Sequence, residues 1–330
     1  METPRKSATS GFCAQCAESI PVALLRQEGL SGLHEAVGVV LDAVRLAGSL
    51  RPGCHVLVKP NLLMAKPLAC TSPQVVAAAC AWLLDNGLRV RVADAPGFGS
   101  ARHVAKRVGL AEALRPLGLS VESMGATVAV PLPLLAEHGR RVQFPVARLA
   151  LESDVLLSVP RVKAHGQMLL TLAVKNCFGC VPGLYKAVAH AREGRNPRLF
   201  ADCLAALWAV LPPVAGLADG ITAMHVTGPS KGEPFPLGLL GASTSAVALD
   251  EAIYTLLGLQ PEAVPLGAAL ARRRALGSAA AGTKVLYPLQ RPEDFNTADF
   301  RLPAHLAHTS FHPARFLQSC LRRMLAALRH

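Results

Sequence analysis

The sequence predicts an α/β fold, a mainly parallel sheet with helices on both faces. Three observations carry that reading. Apolar runs of strand length alternate with stretches of helical spacing from residue 20 onward, and strands separated by helices pair in parallel. The chain has 330 residues, which fits two domains or one large α/β unit. Its composition, 51% hydrophobic and 17% charged, supplies a large core and excludes global disorder.

Residues 1–19 lack periodicity and read as a flexible arm. Strands are expected at 21–25, 55–58, 88–93, 155–159, 214–218, 238–241 and 284–287. Helices are expected between them at 33–47, 73–86, 110–117, 168–177, 198–211, 245–257 and 262–276. The helix at 73 opens on Thr71-Ser72-Pro73-Gln74, a hydroxyl cap, proline at the first helical position and capping-box spacing. The less regular stretch 120–144 is expected to form a small inserted subdomain or an edge hairpin. The α/β core therefore covers 20–299. Beyond it, 300–330 holds five arginines and no acid, and Phe316, Leu317, Cys320, Leu321, Met324, Leu325 and Leu328 recur at helical spacing. That pattern predicts a basic tail helix docked on the core.

Several classes are excluded. Arg5 and Lys6 are not followed by an apolar run of signal-peptide length. The longest uncharged run, 67–84, has 18 residues but contains two prolines, so no membrane span is expected. The expected compartment is the cytoplasm, where nine cysteines remain thiols or ligands. No P-loop, complete dinucleotide-binding glycine fingerprint or Gly-x-Ser-x-Gly elbow is present.

In open α/β sheets, ligands bind outside the carboxyl ends of the strands. Here those ends run into Lys59-Pro60-Asn61, Asp94-Ala95-Pro96-Gly97, the segment 160–166 with Arg161, Lys163 and His165, and Asp219-Gly220. Four strands thus deliver charged or amide side chains to one edge. The densest stretch, 161–198, has seven basic residues against one acid, Glu193, and so holds half of the chain's net charge of +12. It contains Lys163, Lys175 and Lys186, three of only nine lysines, together with His165 and His190. Apolar, glycine-containing sequence lies between these charges, which favours a basic pocket over a solvated basic face.

The ordered set of motifs resembles the family grouped as domain of unknown function 362. The likeness covers residues 20–295. It rests on Val56-Leu57-Val58-Lys59-Pro60-Asn61-Leu62, Thr71-Ser72-Pro73 and Asp94-Ala95-Pro96-Gly97. It continues through 159–166 and 172–183 with Lys186 and His190, then Ala218-Asp219-Gly220-Ile221, Gly228-Pro229 with Gly232, and Ala248-Leu249-Asp250. The resemblance implies a cytoplasmic α/β protein, in a family many of whose members carry a ferredoxin-type domain. Here no four-cysteine run of ferredoxin spacing occurs, so that appendage is expected to be missing. His225-Val226-Thr227 replaces the family's glutamate and glycine–asparagine stretch. Arg161 and Ala164 stand at positions usually lysine and threonine, and Cys177 and Cys180 at positions that are commonly leucine.

Three functions compete. The leading one is an enzyme, or enzyme-like protein, for a small anionic metabolite or cofactor. Lys59, Lys163, Lys175 and Lys186 hold the anion in that reading, and Asn61 and Asn176 orient it. His165 or His190, near Asp94 or Asp219, supplies acid–base chemistry. The second is a redox or metal-handling protein, in which Cys13, Cys16, Cys177 and Cys180 bind zinc or an iron–sulfur cluster, or one pair does so with a histidine. The third is nucleic-acid binding. It rests on the basic balance alone and is disfavoured by an aromatic content of 5% with no recognisable module.

Overall fold

A computed structural model of the chain describes residues 19–134, 138–139, 141–183, 185–275 and 284–306. The first strands are β1 (Ser19–Arg26), β2 (His55–Pro60), β3 (Arg89–Asp94) and β4 (Val121–Ser123). Next come β5 (Thr127–Pro131), β6 (Gln143–Ala147), β7 (Val155–Val159), β8 (Arg161–His165) and β9 (Leu169–Thr171). The last are β10 (Val214–His225), β11 (Glu233–Phe235), β12 (Leu239–Ser243) and β13 (Lys284–Leu286). The helices begin with α1 (Leu33–Ala43), α2 (Pro73–Asp85), α3 (Ala101–Val108), α4 (Leu110–Leu114) and α5 (Arg148–Glu152). They end with α6 (Ala173–Asn176), α7 (Tyr185–Arg192), α8 (Pro197–Val210), α9 (Ala246–Leu256) and α10 (Pro265–Ala275).

The main sheet runs β13-β1-β12-β10-β7-β2-β3-β4. From β10 to β4 all pairings are parallel, and β12 runs against both its neighbours. Alternate strand residues feed two cores. Val56, Val58, Val155 and Leu157 pack with α1 to α4, whereas Leu57, Leu156 and Ala218 pack with the elements from α6 to α10. Two apolar faces explain why β7 is buried along its whole length. The α/β fold with a mainly parallel sheet is therefore as expected. The stretch 120–144 supplies the edge strand β4 and most of a separate antiparallel pair, β5–β6.

Helix starts follow local chemistry. Asn196 accepts from the Leu199 amide at 3.1 Å, with Pro197 behind it, and so begins α8. Two expectations need correction. Helix α2 does begin at Pro73, but neither Thr71 nor Ser72 caps it; both hydroxyls serve the candidate site described below. The helix expected at 168–177 is instead β9, the four-residue α6 and a tight turn at Cys177–Cys180. The flexible arm, apart from Ser19, which opens β1, and the tail helix, apart from 300–306, lie outside the described residues. That short stretch runs beside the end of β10, where Val226 N–H donates to the Arg301 carbonyl.

Candidate functional site

Pro160 separates β7 from β8. Strand β8 then climbs beyond the sheet's carboxyl edge between β9 and the distal half of the 12-residue β10. A strand alternates its side chains, so Arg161, Lys163 and His165 share one face. All three are buried.

Lys59, at the end of β2, donates all its ammonium hydrogens. They go to the Pro60 carbonyl at 3.1 Å, Asn176 Oδ1 at 3.0 Å and Asp94 Oδ1 at 2.8 Å. Asp94 in turn accepts from the backbone N–H groups of Leu62 and Ala95. Asn176 Nδ2 donates to the Lys59 carbonyl and to Ser158 Oγ. Asn61 Nδ2 donates to Asn176 Oδ1, and Asn61 Oδ1 accepts from Lys163 Nζ at 2.6 Å. Lys59, Asn61, Asp94, Lys163 and Asn176 thus form one connected network. Gly179 closes over it, because a Cβ there would overlap Lys59 Nζ and Asp94 Oδ1.

Arg161 and Lys163 also clasp the segment 61–72. Lys163 Nζ donates to the Ala69 carbonyl at 2.7 Å and Arg161 Nε to the Cys70 carbonyl at 2.9 Å. Asn61 N–H donates to Thr71 Oγ1, and Thr71 N–H to the Asn61 carbonyl. Asp219 accepts from Ser72 N–H at 2.7 Å and pairs with Arg161 at 3.3 Å.

The expected pairing of a histidine with Asp94 or Asp219 is not formed, because Lys59 and Arg161 hold those carboxylates. His165 Nδ1 instead accepts from the N–H groups of Gln167 and Met168, which places its proton on Nε2. Burial, then Lys175, His190 and Lys163, hold its basicity well below the usual range. His190 Nδ1 meets Gln167 Oε1 at 2.8 Å, and its ring packs against both Phe178 and Phe200, which also touch each other. Burial and the charges of Lys175 and Lys186 push its pKa down to about 3. Both histidines are therefore neutral at neutral pH.

Lys175 stands apart. Asp250 fixes the helix that carries it by accepting from the N–H groups of Ala173 and Val174. The half-buried Lys175 ammonium has no hydrogen bond or ion pair among the described residues. Burial, then Lys163, Lys186 and Lys59, push its pKa down to about 7. Lys163 also falls to about 7, chiefly through burial. Lys186 donates to the Ala95 carbonyl. Directly across from Lys163 lies Thr171, whose buried hydroxyl has no hydrogen-bond partner among the described residues. Thr171 lies outside the motifs, and Gly179, although within the 172–183 stretch, is not singled out there by sequence patterning.

Cys177 and Cys180 lie in the tight turn that follows α6. Both are buried, and burial raises both thiols, Cys180 to about 12. Among the described residues no three His, Cys, Asp or Glu side chains are grouped to hold a metal ion. Cys13 and Cys16 lie outside the described residues. No helix of the described residues is long and apolar enough to cross a membrane.

Comparison with known proteins adds three findings. The model for a domain of unknown function (DUF362) matches residues 56–255. The thylakoid-associated protein sll1697 of Synechocystis sp. (strain ATCC 27184 / PCC 6803 / Kazusa) is 33% identical over 308 residues, covering 91% of this chain and 93% of that protein. The lactate racemase apoprotein from Thermoanaerobacterium thermosaccharolyticum superposes with a TM-score of 0.42 at 8% identity. It covers 70% of this chain, which spans 55% of that structure.

Proposed function

We propose that this chain, which belongs to the DUF362 family, binds a small anionic metabolite or cofactor in its lysine cluster and acts on it as an enzyme or enzyme-like protein. The observation that carries the reading is the Lys175 ammonium, held among Lys59, Lys163 and Lys186 with no anion of its own among the described residues. Asp94 is the carboxylate paired within this group, and it is committed to Lys59. Among the described residues, Lys163 uses two of its three hydrogens and the Thr171 hydroxyl is unpartnered. A bound carboxylate or phosphate answers each of these deficits. It neutralises the repulsion between the lysines, accepts the remaining N–H and O–H groups, and raises the depressed lysine pKa values. Lys59, Asn61 and Asn176 are the frame of the site in this reading, while Lys163, Lys175 and Lys186 meet the ligand.

The test is thermal unfolding with inorganic phosphate, pyrophosphate and citrate. Binding at a hundredfold excess over Kd stabilises a protein by about 2.7 kcal/mol. The expected result is a saturable rise in Tm that Lys175→Met and Lys186→Met lose. No saturable rise with any of the anions, or an equal rise in both variants, overturns the proposal.

A further inference from the structure

One group of the cluster is chemically unengaged. Lys59 donates three hydrogens, Lys163 two, and Lys186 reaches a backbone carbonyl, so each has a structural partner. Lys175 has none among the described residues and is only half-buried, so its amine remains open to an incoming molecule. It sits on a short helix held by Asp250, in the same sequence stretch as the anchored Asn176. An amine beside other cations is discouraged from carrying a charge, and an uncharged amine is a nucleophile.

Resting on the anion-binding reading, we infer that Lys175 captures the carbonyl carbon of a small oxo compound bearing a carboxylate or phosphate, and holds it as an imine. The anionic group lies against Lys163 and Lys186, with the Thr171 hydroxyl as a further donor. The Lys175 Nζ lone pair forms the new C–N bond, and the carbonyl oxygen takes up a proton to give a carbinolamine. A second proton on that oxygen lets the C–O bond break. The oxygen leaves as water, and Nζ gives up its two original hydrogens, so the balance is amine plus carbonyl to imine plus water. No oxidant or reductant takes part. His165 is a donor at Nε2, and its neutral form keeps it from adding to the charge around Lys175. The depression of Lys175 to about 7 means that a substantial share of this amine is uncharged near neutral pH, whereas an ordinary exposed lysine is almost fully protonated.

The experiment uses the full chain with glyoxylate or pyruvate as the probe, reduction by sodium borohydride and peptide mass mapping. The expected result is one reduced adduct, located on Lys175 and lost in Lys175→Arg. Labelling spread over Lys66, Lys106 and Lys231 with no preference for Lys175, or undiminished in the variant, overturns the inference. Should Lys175→Arg fail to fold, the wild-type map decides, because selective modification of Lys175 supports the inference and its absence refutes it. Saturable stabilisation by pyruvate without an adduct removes the imine and leaves the anion-binding reading intact. Neither stabilisation by any tested anion nor an adduct removes both.

Discussion

Thr171 lies directly opposite Lys163 in the β8–β9 ladder, and its buried hydroxyl has no hydrogen-bond partner among the described residues. A buried unsatisfied polar group costs about 1–3 kcal/mol, so this position destabilises the protein without a ligand. Thr171→Val is therefore expected to raise the stability of the unliganded protein by about 1 kcal/mol while weakening phosphate binding. Urea unfolding and titration calorimetry read the two effects separately. A variant that binds phosphate as tightly as the parent would show that the hydroxyl does not meet the anion.

The depressed basicity of Lys175 has a defined pH signature. Between about 7 and the ordinary lysine value, the unfolded chain holds a proton that the folded chain lacks. Stability contributed by this group therefore rises with pH across that window. Lys175→Met should flatten the rise without abolishing it, since Lys163 is shifted in the same direction. Phosphate favours the protonated lysine, so its affinity is expected to fall as pH is raised above about 7. Calorimetry in buffers of different ionisation enthalpy checks this through proton uptake on binding.

The Lys59–Asp94 pair is buried on both sides at 2.8 Å. Removal of one partner strands the other charge, and Asp94→Ala is expected to cost about 3–5 kcal/mol. Combining Lys59→Met with Asp94→Leu should recover much of that loss, because the exposed desolvation penalty disappears with both charges. Gly179→Ala should also destabilise strongly, through overlap of its Cβ with the same two side chains. Chemical denaturation of the three variants tests the set, and a Gly179→Ala protein of parental stability contradicts the packing described.

Thiol chemistry offers a check on the cysteine pair. The thiolate is the reactive form, and burial keeps Cys177 and Cys180 protonated. Iodoacetamide is expected to leave both unmodified in the folded protein and to label both in urea. Peptide mass mapping follows these two sites individually, and rapid labelling of either in the native state contradicts their burial.

Much of the sheet was legible because its strands are apolar runs that stop at a charge or turn, as at Lys59 and Asp94. The same abruptness marked those side chains as site candidates. The stretch 168–177 was not legible, because short apolar sequence fits a buried strand followed by a helical turn as well as one helix. The backbone resolves it at Leu169, whose φ of 64° ends any continuous helix there. Partner choice was harder still. Asp94 and Asp219 read as companions of a histidine, yet a buried lysine and a buried arginine offer them charge-assisted hydrogen bonds. Gly179 is required by atoms from segments more than 80 residues away, so its place in the 172–183 motif does not by itself reveal why a glycine stands there.

The clasp around 61–72 sets how this site can move. A loop is ordinarily where a protein opens first, but here buried cations hold the Ala69 and Cys70 carbonyls and the ends are bonded to each other. Amide hydrogens of Asn61 and Thr71 should consequently exchange as slowly as those of the neighbouring strands. The turn that carries the exposed Phe98 is tied to the same segment, because Phe98 N–H donates to the Leu63 carbonyl at 3.0 Å. The lysine frame and the loop around it are thereby expected to open only together.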